Sequence, residues 1–327
     1  MKEKVSHIWE KILKWPALPA FLLFSLAFVA VKFVIKGTNI NAAYLTSFIN
    51  TNTPVICICM GVSVVILTGG IDISLGALIS LCNVVAVQMM MHGVNYMLTI
   101  AVVLLMAVLA GAFNGAVVSY LRIPPLLTTF ATQTIFAGLA LWVMKVPGGS
   151  IAKELSKFYY GKLFGFLPPT LIFIIVPIII WKIYKRTPEG TRMYASGCDL
   201  EKAFLSGINV NRCKIFAYCF AGFCAGVGAV AYTCYVCAGD PDLGNSLDMK
   251  AISAAVIGGV SLSGGYGDIT GGIFGCLFFG MLTNMIVSLK VNVFTQNLLE
   301  ALILLGSVLL AIAVKNRNER KGTDNAS

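Results

Sequence analysis

The sequence predicts an all-α integral membrane protein, a polytopic bundle of about ten transmembrane helices in which one or two segments are broken or re-entrant. Three observations carry this. First, 58% of the 327 residues are apolar and only 12% are charged, about half the charged share of an ordinary soluble domain, and the mean hydropathy is +0.86. Second, the charges are absent from long stretches: 35 residues separate Lys36 from Asp72, 49 separate Asp72 from Arg122, and 25 run from Ile215 to Gly239. A spanning helix needs roughly 20 such residues. Third, the excess of Lys and Arg lies in short stretches beside the apolar runs, which encodes orientation.

The basic stretches are the amino end (Lys2, Lys4, Lys11, Lys14), the segment Lys182 to Lys214, and the tail after Val314. All three are expected in the cytoplasm, so an even number of crossings must separate each pair. The net charge of +10 is therefore an orientation signal and not a nucleic-acid surface. Spans are expected near Ala17–Ile35, Tyr44–Leu67, Leu75–Met91, Met97–Leu121, Leu126–Met144 and Pro169–Tyr184. After the central basic loop come Lys214–Val236, a short segment near Ala251–Gly259, Ile269–Leu289 and Thr295–Val314. The short eighth segment is a candidate half-helix, and Pro54 is a candidate break in the second span. Lys32 sits where its side chain can snorkel. The first span lacks a small-x-small cleavage site and is expected to be retained. The chain reads as one domain, residues 1–327, with a cytoplasmic amino end (1–16), a cytoplasmic loop (185–213) and a cytoplasmic tail (315–327).

Catalytic chemistry finds no foothold. His7 and His92 fall on opposite expected sides of the membrane, most of the ten cysteines lie in apolar runs, and Cys234 and Cys237 form a C-x-x-C without a second pair. Leu262-Ser263-Gly264-Gly265 resembles the start of the signature of ATP-binding cassette ATPases, but no Walker motif accompanies it, so it reads as a glycine-rich turn. No catalytic residue, metal or cofactor is expected.

Function must then lie in polar groups within or between the apolar runs, because unpaired polar groups in hydrocarbon are costly. Asp72 and Ser74 follow Gly69-Gly70 and are placed to cap the helix after them. Asp268-Ile269-Thr270-x-Gly272 echoes Asp72-Ile73-Ser74-x-Gly76, the same device in the second half. Asn114, Gln133 and Asn284 are further polar positions that either bond a neighbouring helix or line a path. Gly111–Gly115 and Gly222–Gly226 have the spacing of close helix contacts. So few charges inside the spans suit a neutral hydroxylated solute better than an ion.

In the central loop, Met193 to Asn209 can form a short helix between turns at Gly197 and Gly207, with Ala195, Leu200, Ala203, Phe204 and Ile208 on an apolar face. Such a helix either docks on a protein or lies on the membrane.

Four separated motifs now point to a family. They are Leu67 to Gly76, Asn114-Gly115 with Leu121-Arg122-Ile123-Pro124-Pro125, Tyr194-Ala195-Ser196-Gly197 with Leu205-Ser206-Gly207-Ile208-Asn209, and Ala254 to Gly265. From about Asn39 to Val314 the chain resembles the permease subunits of bacterial ATP-binding cassette (ABC) importers for ribose, xylose, galactose and autoinducer-2. The resemblance implies an inner-membrane subunit that hydrolyses no ATP itself. It also implies that Ala195, Gly197, Asp199, Ala203, Ser206, Gly207 and Ile208 belong to a coupling helix seated in a separate cytoplasmic ATPase, and that a bulky residue at Gly207 uncouples ATP hydrolysis from uptake. The family usually has Asn and Ala where this chain has Asp199 and Lys202. A second permease chain, identical or closely paralogous, and an extracytoplasmic sugar-binding protein complete the expected assembly, with Asp240 and Asp242 as the acidic contact for the latter. Asp72, Ser74, Asn114, Gln133, Asp268, Thr270 and Asn284 are expected as path residues or helix caps. Nucleoside and branched-chain amino-acid permeases, or an ion-coupled secondary transporter, are the alternatives.

Overall fold

A computed structural model describes residues 17–34, 41–162 and 167–288, with scattered positions between 290 and 309. The first half carries α1 (Leu18–Val34), α2 (Ala42–Leu67), α3 (Leu75–Met91), α4 (Tyr96–Tyr120) and α5 (Pro125–Val143). A short α6 (Lys153–Tyr159) and α7 (Leu171–Lys185) lead to the paired helices α8 (Pro188–Cys198) and α9 (Leu200–Leu205). The chain continues through α10 (Val210–Val236), α11 (Leu247–Ile257) and α12 (Ile269–Ser288). Nine expected spans thus coincide with helices, whereas Thr295–Val314 falls largely outside the described residues, as do the amino end, the tail and the Lys32 side chain.

Five of these helices, α2, α4, α5, α10 and α12, are long and apolar enough to cross a membrane. α2 is the centre. It runs through Pro54 as one helix, and every residue from Ile56 to Thr68 is buried, the pattern of a helix surrounded by protein on all sides. It packs on α10, α11 and α12, while α10 also packs along α4. The α4–α10 contact is backbone against backbone, as the glycine spacing anticipates. A Cβ at Gly111 would lie 2.2 Å from the Tyr218 carbonyl oxygen, and one at Gly222 would lie 2.3 Å from that of Ala107.

By contrast, α4 and α5 turn large apolar side chains outward, among them Leu109, Phe113, Phe130, Ile135 and Trp142. That surface belongs against hydrocarbon or another apolar chain.

One end of the bundle carries Lys182 to Lys214 and is called here the basic end; the other is the far end. From the far end the chain after α10 does not cross back as a helix. It descends beside α3 as a series of turns over residues 241–246: a Cβ at Gly239 would meet Val87 Cβ at 3.3 Å, and one at Gly244 would meet the Gly76 carbonyl oxygen at 1.9 Å. α11 therefore begins inside the bundle, and with 11 residues it is the half-helix anticipated for the eighth segment, starting at Leu247.

Candidate functional site

At the basic end, α8 and α9 form the connection between α7 and α10. Thr187 caps α8 by accepting the Gly190 N–H at 3.3 Å, Pro188 occupies the first turn, where its missing N–H costs nothing, and Arg192 pairs with Glu189. The short helix expected between Gly197 and Gly207 is α9, but the turn expected at Gly197 is absent. Gly197 lies inside α8, and the break falls at Asp199, whose extended backbone and carboxylate cap α9. Asp199 Oδ1 accepts from the Glu201 and Lys202 N–H groups at 3.1 and 3.0 Å, a local alternative that outcompetes helix continuation. The Lys202 backbone N–H, then its ammonium group, hold that carboxyl below the usual carboxylate range.

Ala203 is buried, and the Ile208 N–H returns to its carbonyl at 3.1 Å. Ser206 Oγ donates to the Lys202 carbonyl at 2.8 Å. Gly207 takes φ +78° with open space around it, so its glycine is required by backbone conformation and not by crowding. Ala195 is exposed, and so are Phe204 and Leu205, at 72% and 77%.

The inner side of α8 is seated on bare backbone. A Cβ at Gly197 would lie 1.9 Å from the Leu67 carbonyl oxygen and 2.6 Å from the Gly265 nitrogen. The Gly265 N–H itself donates to that Leu67 oxygen at 2.9 Å. Gly264 and Gly265 hold φ +83° and +71° to make this approach. Around this contact, Tyr194 Oη donates to the Gly267 carbonyl at 2.9 Å. Lys185 Nζ and Trp181 Nε1 donate to the two oxygens of Asp268 at 2.9 and 2.8 Å. Three chain segments thus meet at one point: the end of α8, the end of α2, and the loop between α11 and α12. With so little side chain between them, a displacement of one must move the others.

Behind that point lie the two interruptions of helix. In the first, residues 68–74, the structure brings Asp72, Ser74 and Asn114 together. Asp72 Oδ1 accepts from Ser74 N–H at 2.9 Å and from Ser74 Oγ at 2.7 Å, and Asn114 Nδ2 donates to Ser74 Oγ at 2.9 Å. Thr129 Oγ1 reaches the Ile71 carbonyl at 3.3 Å. The expected cap differs in detail: Ser74 occupies the N-cap position of α3 but makes no side-chain cap bond, because its hydroxyl is committed to Asp72. Asp72 Oδ2, Asn114 Oδ1 and Tyr218 Oη are buried without a hydrogen-bond partner.

The second interruption, from Cys237 to Ser246, is held by α3. Asn83 accepts the Asp240 N–H at 2.8 Å and donates to the Ala238 carbonyl at 3.1 Å and to Thr233 Oγ1 at 2.9 Å. Ser80 Oγ accepts the Gly244 N–H at 2.8 Å. Non-helical backbone at membrane depth needs such partners, which explains why α3 carries these polar side chains.

The remaining expected site residues are dispersed. Asp268 belongs to the cluster under α8, with Thr270 half-buried in the first turn of α12, whereas Asn284 lies toward the far end and donates to Tyr44 Oη at 3.3 Å. Gln133 is half-buried on α5. Asp240 accepts the Asp242 N–H at 2.9 Å and is half-buried, while Asp242 is exposed. No group of His, Cys, Asp or Glu among the described residues is arranged to hold a metal, and the cysteines described are free thiols. Sequence reasoning passed over Tyr218 and Asp248, and named Tyr194 only within a motif. Tyr218 sits within an apolar run and has no signal separating it from core; Asp248 stood alone in sequence, and only the descent of the chain beside Gly76 buries it.

The model of the branched-chain amino acid transport system / permease component family matches residues 44–313. The ribose import permease of Bacillus subtilis is 34% identical over 77% of this chain and 80% of its own length. The autoinducer 2 import system permease of Yersinia enterocolitica is 29% identical over 87% of this chain and 79% of its own. The D-allose transport system permease of Escherichia coli K12 is 29% identical over 88% and 85%. No solved structure matches the chain.

Proposed function

The chain belongs to the branched-chain amino acid transport system / permease component family, and from that premise we propose that it forms the membrane path of an ATP-driven importer of a monosaccharide. The observation that carries this reading is the seating of α8 on Leu67 and Gly265, directly in front of the first helix interruption. A soluble ATPase pressing on that segment would have a stiff route into the bundle. The permease itself is not an enzyme; another subunit hydrolyses ATP.

In this reading the basic end faces the cytoplasm, and Phe204 and Leu205 on α9 enter a cleft of the ATPase. A second permease chain covers part of the apolar surface of α4 and α5. A binding protein docks at the far end, with Asp242 the acidic residue available to it. Closure of two ATPases on ATP shifts α8, and the two interruptions exchange inward-open and outward-open states. Asp72, Ser74 and Asn114 serve the path indirectly, as the hinge around which α3 begins. Gln133 and Thr270 stand as further contacts along the route. An interior of hydroxyls and amides with few charges suits a neutral polyol, and the ribose and allose named for the relatives above are of that class.

Reconstitution tests this. Vesicles containing the permease, its ATPase and its binding protein are expected to import labelled D-ribose only with ATP. Accumulation driven by an ion gradient alone, without an ATPase, would overturn the reading in favour of a secondary transporter.

A further inference from the structure

At the far end, a cavity of about 300 Å³ opens between α2 and α12, and its lining includes Tyr44, Ser47, Phe48 and Thr51 together with Asn284 and Ser288. Five of the seven lining side chains offer a hydroxyl or an amide, Phe48 and Val287 are apolar, and none is charged at neutral pH. The volume lies at the small end of the range for small-molecule sites.

Ser47 and Thr51 are exposed one turn apart on a helix that crosses the membrane. Thr51 stands roughly 14 Å along α2 at 1.5 Å per residue. Thr51 Oγ1 donates to the Ser47 carbonyl at 3.0 Å, which satisfies its proton within the helix and leaves its lone pairs to accept from a donor on this face. The groups are also joined to one another. Thr51 Oγ1 lies 3.3 Å from Tyr235 Oη, and Asn284 Nδ2 donates to Tyr44 Oη. Next along the helix, Asn52 is pressed against α12: a Cβ at Gly280 would lie 2.3 Å from its Oδ1. The polar line therefore runs from the cavity toward the middle of the bundle.

We propose that this cavity is the first solute contact of the permease, taking a neutral polyhydroxylated molecule of monosaccharide size released at the far end. The proposal rests on the import reading above and adds to it a place and a set of residues. Mixed donors and acceptors without a carboxylate or ammonium group match adjacent hydroxyls on a sugar ring. They leave a cation uncompensated, and an apolar ligand would strand the hydroxyls and amide unpaired.

The test uses the reconstituted complex with labelled D-ribose as probe. Thr51→Val and Asn284→Leu preserve shape and remove hydrogen bonding. Each is expected to lower the ribose imported per ATP hydrolysed by about fivefold, the effect of one hydrogen bond of ordinary net strength, and Thr51→Ser should restore it. Independently, Thr51→Cys should react with a water-soluble maleimide faster than the parent chain does, and ribose should slow the reaction. Parent vesicles that import ribose while both variants import it equally well would overturn the cavity assignment alone. A Thr51→Cys chain labelled no faster than its parent would do the same by placing this face in lipid. Parent vesicles that import no sugar would overturn the import reading and this proposal together.

Discussion

Asp72-Ile73-Ser74-Leu75-Gly76 and Asp268-Ile269-Thr270-Gly271-Gly272 share a pattern, and each opens an apolar helix after a glycine-rich turn, yet their surroundings are opposite. Asp72 is fully buried, satisfied on one oxygen by Ser74, and among the described residues pairs with no cation. Asp268 stands at the basic end, its side chain 26% exposed, bound to both Lys185 and Trp181. The glycines four residues on differ likewise. A Cβ at Gly76 would lie 2.5 Å from the Gly244 carbonyl oxygen, a backbone atom, whereas one at Gly272 would meet the side-chain tips of Cys59 and Ser63 at 2.7 and 2.8 Å. The local pattern sets the turn; elements far away in sequence decide whether the acid becomes a hinge inside the bundle or a latch at its edge.

The sharpest way to break this contrast is at the glycines. Gly76→Ala is expected to cost near the upper end of about 1–3 kcal/mol, because backbone must move, and Gly272→Ala about 1 kcal/mol, because side chains can turn aside. Thermal unfolding in detergent compares them, and equal losses would erase the distinction.

The acids come next. Asp72→Ala leaves the Ser74 N–H and hydroxyl buried without their acceptor, a loss of about 1–3 kcal/mol. Asp268→Asn keeps an acceptor for Trp181 and removes only a partly exposed ion pair, so its loss should lie between about 0 and 1 kcal/mol. The same melting experiment reads both, and a larger loss at Asp268 would reverse their roles.

The smallest effect belongs to Asp199, the exposed counterpart among the capping acids. Its carboxyl is held below the usual range in the folded chain, so its stabilisation is complete above the unfolded value and disappears as pH falls through the lower folded one. Amide exchange at Glu201 and Lys202 should be fast in Asp199→Ala at neutral pH and slow in Asp199→Asn, which still caps. In the parent, the protection of these amides relative to Asp199→Ala at the same pH should disappear only below about pH 4.

Much of the architecture is legible in the chain because hydrocarbon excludes charge: the charge-free runs locate nine helices to within a few residues, apart from the short eighth. The glycines of Thr68 to Ser74 announce the first interruption. The second is hidden, since Asp240 and Gly244 find their partners on Asn83 and Ser80, about 160 residues away. Within the coupling segment, sequence reasoning treats Gly197 and Gly207 alike as turns. The structure separates them: Gly207 needs its glycine for conformation, and Gly197 for contact. Gly197 thereby joins Gly207 as a position where a bulky residue is expected to uncouple hydrolysis from uptake. The solute cavity was only half visible, because Asn284 stood out among apolar neighbours whereas Tyr44 and Thr51 gain meaning from the helix across from them.

The central claim is that ATPase motion enters the bundle where α8 rests on Leu67 and Gly265. It is tested most directly by the ratio of ribose imported to ATP hydrolysed in Gly197→Val, in a complex that still assembles through Phe204 and Leu205. The account predicts ATP hydrolysis with the import ratio reduced to near zero. A ratio equal to that of the parent would contradict it.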